Sequence, residues 1–406
     1  MKKETSRLVL NLLFSTAILI AAGLVGQSCS TVAPAVTSST AIVTPKPQPT
    51  AIPTTMPEIR QLMDSPSYGM QIFPWWKPDV ADRDMGLVRD AGFGWIKANF
   101  GWRDIEGAGK GHLDWTVPDR IVEQAQAYGL QMVVRIDHQP VWAGTAQNGP
   151  PENYADYGDF LDALAARYKG RIQAYEIWNE PNLAREWGDR PPNAAEYVEL
   201  LKLAYRRIKA ADPEAIVISA GLAPTTRWDD VAVPDTVYLQ QMYDAGAAPF
   251  FDALGVHGAG FKVPPETDPA LVATDPALNN SDPSSAEFKR IYCFRHIEDM
   301  RQVMVENGDA AKQVAVLELG WTSDPRPDST YHWYAVSEDE KADYLVRAYL
   351  YARENWQPWI GLMSLIYITD HHWTPEHEQY WWAITGPGYP AAQLRPAYFR
   401  LKEMSK

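Results

Sequence analysis

The chain has 406 residues, 46% of them hydrophobic, with 16 tryptophans, 20 tyrosines and a formal net charge of −14. That length supports one large core or two modest ones. The acidic balance argues against nucleic acid or an anionic membrane surface as the main partner, since both are met by basic patches.

The first segment is predicted to be a targeting element rather than part of a fold. Lys2, Lys3 and Arg7 precede an apolar run at 8–25, and Cys29 follows it directly after Ser28. The pattern resembles a bacterial lipoprotein leader, in which Cys29 would be lipidated, although Gly26 and Gln27 replace the usual leucine and small residue. A cleaved signal peptide or a simple membrane anchor over 1–29 are the alternatives. Each implies export, to the cell surface or beyond it, with the membrane touched only through this anchor. Residues 30–64 are rich in Ser, Thr and Pro and are expected to be a disordered linker. If Cys29 is lipidated or removed, Cys293 has no partner within the chain, and the fold must stand without a disulfide. Two cysteines also exclude a cysteine-based zinc centre.

From residue 65 short apolar runs alternate with amphipathic stretches, the pattern of parallel β/α units. Strands are predicted at 68–73, 95–100, 130–136, 173–178, 216–220, 253–257, 314–319 and 360–368. Helices fall between them, clearest at 154–168 and 194–211, and a last helix spans 397–404. Eight units close a parallel barrel, so residues 65–406 are expected to form one α/β domain, a (β/α)8 barrel. A doubly wound open sheet would want a glycine-rich phosphate turn after its first strand, and Phe73-Pro74-Trp75-Trp76 is unlike one.

In such a barrel the chemistry gathers at the C-terminal strand ends. Glu180 and Glu318 each close a very apolar strand, where an acid is costly to bury without a partner or purpose. Strands four and seven face each other across the mouth, so both carboxylates can serve one cavity. Glycoside hydrolysis needs such a pair, one group to protonate the departing oxygen and one to support or attack the anomeric carbon. An acidic, aromatic-rich chain also suits a neutral, hydroxyl-rich carbohydrate partner.

The segments Tyr175-Glu176-Ile177-Trp178-Asn179-Glu180-Pro181-Asn182 and Val316-Leu317-Glu318-Leu319-Gly320-Trp321 resemble glycoside hydrolase clan A, the retaining (β/α)8 glycosidases. The likeness is greatest to the β-xylosidase/α-L-iduronidase and cellulase-like families. The stretches 102–106, 113–115 and 140–143 are similar as well. The resemblance implies Glu180 as acid/base, Glu318 as nucleophile, Asn179 as donor to the sugar 2-hydroxyl, and His257 near the nucleophile or substrate. Many clan members carry an arginine on strand two; this chain offers Lys97 there, with Arg135 on strand three as the compensating cation. These cations are expected to lower the pKa of Glu318, and a dry setting near Trp178 to raise that of Glu180.

Glu176 is expected to form an interior ion pair with Lys97 or Arg135. His138, Trp142, Trp321, Tyr367 and Trp373 are candidates for lining or stacking on sugar. The run Asp370-His371-His372 through Glu378 misses the zinc spacing, and Pro375 breaks the helix it would need, so neither a metal nor another cofactor is expected. Residues 262–285 are expected to wall the cleft. A sugar-binding barrel without catalysis and a metal-dependent barrel hydrolase are the competing readings; oligomeric state is open.

Overall fold

In the computed structural model, residues 57–406 are described; the predicted leader with Cys29, and residues 30–56 of the predicted linker, lie outside the described residues. Eight parallel strands close into one barrel in chain order. They are β1 (Ser67–Gln71), β2 (Trp95–Asn99), β3 (Gln131–Ile136), β4 (Ala174–Ile177), β5 (Ile216–Ser219), β6 (Ala253–Ala259), β7 (Gln313–Gly320) and β8 (Ile360–Leu365). Between and after them run the helices of the outer ring, among them Pro78–Asp90, Thr116–Ala127, Tyr154–Arg167, Ala194–Ala211, Asp235–Asp244, Ile297–Glu306, Glu338–Asn355 and Pro396–Glu403. The predicted barrel is therefore present. No helix among the described residues is long and apolar enough to cross a membrane.

Period-two alternation sorts each strand into two faces. Ile96, Val134, Tyr175, Val217 and Leu254 point outward and pack under the helices. Trp95, Val133, Ala174, Ile218, Ala253, Ala315 and Leu362 fill the barrel floor. Met63 joins that floor from below, where Gln313 Oε1 accepts from the backbone N–H of Leu62 and Met63. Packing against the barrel thus includes residues a few positions before 65, inside the stretch read as linker. Further along the strands the interior becomes polar, with Lys97, Arg135 and Glu176 buried.

A second hydrophobic cluster roofs the other end of the barrel. It collects Phe261, Tyr292, Tyr334, Tyr367, Trp373 and Trp382 from the long loops after β6, β7 and β8. Most of the buried aromatics nevertheless sit in the main core beneath the helices.

Candidate active site

The two glutamates at the mouth of the barrel are each placed by a local departure from ideal strand geometry. On β7, Val314 and Val316 face outward while Ala315 and Leu317 face inward. The β6–β7 register then slips by one, so that Val256 pairs with Val316 but His257 pairs with Glu318. A bulge of this kind re-aims a side chain, and here Glu318 follows Leu317 into the interior while Leu319 returns to the outer face. On β4 the same result is reached through backbone conformation. Trp178 (φ 72°) and Glu180 (φ 40°) both adopt the left-handed region, which is costly for non-glycine residues and concentrates at functional sites. Trp178 is thrown outward against Tyr157 and Trp187, and Glu180 comes in. The backbone N–H of Glu180 is fixed by a hydrogen bond to Gly221 O, at 3.1 Å.

The two glutamates meet. A carboxylate oxygen of Glu180, a ring nitrogen of His257 and a carboxylate oxygen of Glu318 all lie within 4.8 Å of one another. His257 Nδ1 is 2.9 Å from Glu180 Oε1 and 3.8 Å from Glu318 Oε2. Glu318 Oε1 has two cations beside it, Lys97 Nζ at 3.5 Å and Arg135 Nη1 at 3.7 Å. Lys97 also pairs with Glu176 Oε2 at 3.0 Å, an interior pair of the kind expected. Arg135 reaches Asp137 Oδ2 at 2.9 Å and donates to Asn179 Oδ1 at 3.0 Å. With its carbonyl so engaged, Asn179 keeps its NH2 as the end that can donate to a ligand.

Burial, opposing charges and hydrogen bonds compete at every group here. Burial pushes the Glu180 carboxyl up, but the hydrogen bond and charge of His257, with the Arg185 guanidinium 2.8 Å away, outweigh it and hold Glu180 below its usual range. The expected rise at Glu180 is therefore corrected: Trp178 faces away, and two cations occupy the place given to a dry apolar wall. Burial pulls His257 down, and the carboxylates of Glu318 and Glu180 more than reverse this, so it stays protonated above its usual value. Asp137 is held low against burial by His138 and Arg135.

The other expected residues separate into groups. His138, beside Asp137 at 2.9 Å and Asn99 at 3.3 Å, is part of the charged cluster at the mouth. Trp142 is half-buried on the loop after β3, meets Trp102 edge-on, and donates its indole N–H to Glu106 O at 2.6 Å. Trp321 is fully buried, with its N–H on Val263 O, and so packs beneath the loop after β6 instead of offering a face. Tyr367 and Trp373 are 2% and 6% exposed and pack on each other and on Phe73 in the roof cluster. The 262–285 stretch is ordered by the helix Pro269–Thr274 and by hydrogen bonds from Thr226 and Tyr292 to Asp282.

Three acidic or basic groups near the pair escaped sequence reading. Arg185 touches Glu180, while burial lifts Glu186 to about 7 and Glu378 to about 8. A charged pair five and six residues after Glu180, in an otherwise apolar loop, was the available signal for the first two. Glu378 closes the 370–378 run, which the sequence suggested as a loop over the sugar site, but nothing in that run singled out Glu378 itself as a neighbour of the pair. At the opposite end of the barrel a cavity of about 390 Å³ lies among Ser67, Tyr68, Trp95, Arg353 and Lys406. It sits at the N-terminal strand ends, the face that serves stability in this fold, and it holds no carboxylate pair.

Comparison with known proteins points the same way as the site. The model of the cellulase family (glycosyl hydrolase family 5) matches residues 59–247, just under half of the chain. A β-xylosidase of Geobacillus stearothermophilus is 27% identical over 128 residues, covering 27% of this chain and 25% of that one. The chain thus spans about a quarter of the length of this curated relative. A family 39 glycoside hydrolase from Bacteroides cellulosilyticus WH2 superposes with a TM-score of 0.59 at 19% identity, over 86% of this chain and 64% of that one. An exo-β-1,4-mannosidase from an Opitutaceae bacterium, strain TAV5, gives 0.57 at 16% identity, over 86% and 62%. These structural likenesses speak for the fold, and together with the family model they support the resemblance to clan A glycosidases.

Proposed function

We propose that this chain, similar to clan A glycosidases, is a glycosidase that cleaves O-glycosidic bonds of oligo- or polysaccharides with retention, Glu318 attacking and Glu180 serving as acid and then base. The observation that carries the reading is the approach of the two carboxylates to within 4.8 Å of each other across the mouth. Retaining pairs stand about 5–5.5 Å apart, whereas inverting pairs stand about 6.5–9.5 Å apart to admit a water. Lys97 Nζ at 3.5 Å and Arg135 Nη1 at 3.7 Å put two positive charges beside the Glu318 oxygen that would attack. Attack forms a bond from a Glu318 oxygen to the anomeric carbon while the glycosidic oxygen leaves with a proton from Glu180. Water then gives a proton back to Glu180 as its oxygen displaces Glu318. Asn179 can hold the neighbouring sugar hydroxyl through its NH2. The β-xylosidase and β-mannosidase likenesses favour β-linked substrates. The run at 8–25 followed by Cys29 supports export and tethering at the cell surface.

A metal-dependent hydrolase is the competing reading, because Glu180, His257 and Glu318 also satisfy the spacing of a cation site. The cations already beside these carboxylates argue against it, since a further positive ion would be repelled. A panel of aryl glycosides tests the proposal. At least one should be hydrolysed in the presence of EDTA, and Glu318→Gln should lower kcat on it by a thousandfold or more, about 4 kcal/mol of barrier. Substantial activity in that variant, or its loss on chelation, would refute the assignment.

A further inference from the structure

Arg185 stands against the one side chain that must carry a proton to the leaving group, and the double-displacement chemistry gives it no task. It lies on a single 3-10 turn, Ala184–Glu186, just past Glu180. Its Nη2 is 2.8 Å from Glu180 Oε2, and His257 Nδ1 is 2.9 Å from Oε1, so both carboxylate oxygens are engaged as acceptors. A general acid needs one of those oxygens protonated and facing the departing oxygen. The charge-assisted bond to Arg185 favours the opposite state.

The same guanidinium has a second carboxylate within reach. Glu186 Oε1 lies 3.6 Å from Arg185 Nε, and that Nε is buried without a hydrogen-bond partner. Burial lifts Glu186 to about 7, with Arg185 opposing the rise and Glu180 adding to it. The backbone of the turn is pinned, because Ala184 N–H donates to Val231 O at 2.8 Å and Leu183 bridges to Ala232. The Arg185 side chain is 24% exposed, however, while that of Glu180 is 0%. A side-chain exchange is therefore open to the arginine and closed to the glutamate. The other charged or titratable groups acting on this cluster are Tyr331 and Glu378 from the loops after β7 and β8, Arg135 and His138 from β3 and its loop, and Glu318 and Lys97 through His257.

We propose that Arg185 is a positioning residue that exchanges between Glu180 and Glu186, holding Glu180 ionised in the empty cleft and releasing it to take up a proton when a leaving-side sugar enters. The proton comes from solvent or from His257 Nδ1, passes to the glycosidic oxygen as its bond to carbon breaks, and is replaced from the attacking water. This rests on Glu180 being the acid/base.

The test is the pH dependence of kcat/KM in the full chain, on a phenyl glycoside, which needs acid assistance, and on the 2,4-dinitrophenyl glycoside, which does not. Arg185→Met should move the alkaline limb for the phenyl substrate upward by about one pH unit, because the ionised acid has lost a cation. Arg185→Lys should keep the limb near that of the parent protein, and Glu186→Gln, which leaves Arg185 only one partner, should move it down. The dinitrophenyl profiles should lack this limb in all four proteins. An Arg185→Met limb coincident with the parent's, or an equal loss on both substrates at every pH, would overturn the proposal. If Glu180→Gln hydrolyses the phenyl glycoside as fast as the parent protein, the assignment of Glu180 has failed instead.

Discussion

Glu180 is a fully buried carboxylate with a positive group on each oxygen, His257 Nδ1 at 2.9 Å from Oε1 and Arg185 Nη2 at 2.8 Å from Oε2. Its location could be read because an acid closing an apolar strand has few structural uses. Its ionisation could not, because that depends on which way Trp178 turns and on His257, 77 positions away in the chain. The two groups must be treated as a pair that shares a proton. The resting proton sits on His257, whose pKa is raised by Glu318 and Glu180 against burial, and Glu180 is ionised beside it. The sign follows directly. In the proposed mechanism the acid step needs that proton, so activity should be lost as pH rises through the raised value of the pair. For the unsubstituted chain, kcat/KM on a substrate with a poor leaving group should keep its alkaline limb above the ordinary histidine value of 6.5. A limb near 4.5, the value of a lone glutamate, would contradict the pairing. Lys97 was legible for a different reason: a lysine inside an apolar strand demands a buried counter-charge, and both Glu176 and Glu318 supply it.

At the scale of the elements, the strands announced themselves and their ends did not. The runs at 95–100 and 130–136 lie within a residue of β2 and β3, since alternating apolar patterns leave little freedom. The run at 360–368 continues three residues past β8, because Ile366 and Tyr367 are buried in the roof and Ile368 in the main core, and they are apolar for that reason. The register slip beside Glu318 carries no composition signal at all. One glycine at the end of β5 shows how tightly elements share the site. A Cβ on Gly221 would lie 2.3 Å from the His257 ring, while the carbonyl of the same residue holds the Glu180 N–H. Gly221→Ala should therefore displace His257 and lower kcat by about a hundredfold, a loss of general-acid support, while the fold persists with a cost of about 1–3 kcal/mol. Steady-state kinetics and urea unfolding check the two halves separately; an unchanged kcat would mean that the ring is not held where the backbone places it.

For the molecule as a whole, counting eight β/α units was enough to close the barrel, but the loops that roof it were opaque. Tyr367, Trp373 and Trp321 had the composition of sugar platforms, and they pack on neighbouring loops because long loops need a core of their own. Buried acids also set the response to pH. Burial raises Glu378 to about 8 from 4.5, Glu186 to about 7 from 4.5 and Asp84 to about 7 from 3.8. Groups raised in this way contribute stability that is present below their unfolded values and is lost as pH rises through the folded ones. The midpoint of thermal unfolding should thus fall between pH 5 and pH 8, and Glu378→Gln should recover part of that fall at pH 8 while changing little at pH 5. A midpoint that rises over this window would contradict the buried, neutral state of these acids. The central proposal is one arrangement, a nucleophile and an acid facing a single anomeric carbon, and a trapped intermediate tests it most directly. A 2-deoxy-2-fluoro glycoside with an activated leaving group, matched to the best aryl substrate, should inactivate the enzyme, and peptide mapping should find one sugar esterified to Glu318. A label on any other residue, or turnover of the parent substrate to the inverted anomer with no covalent adduct, would contradict it.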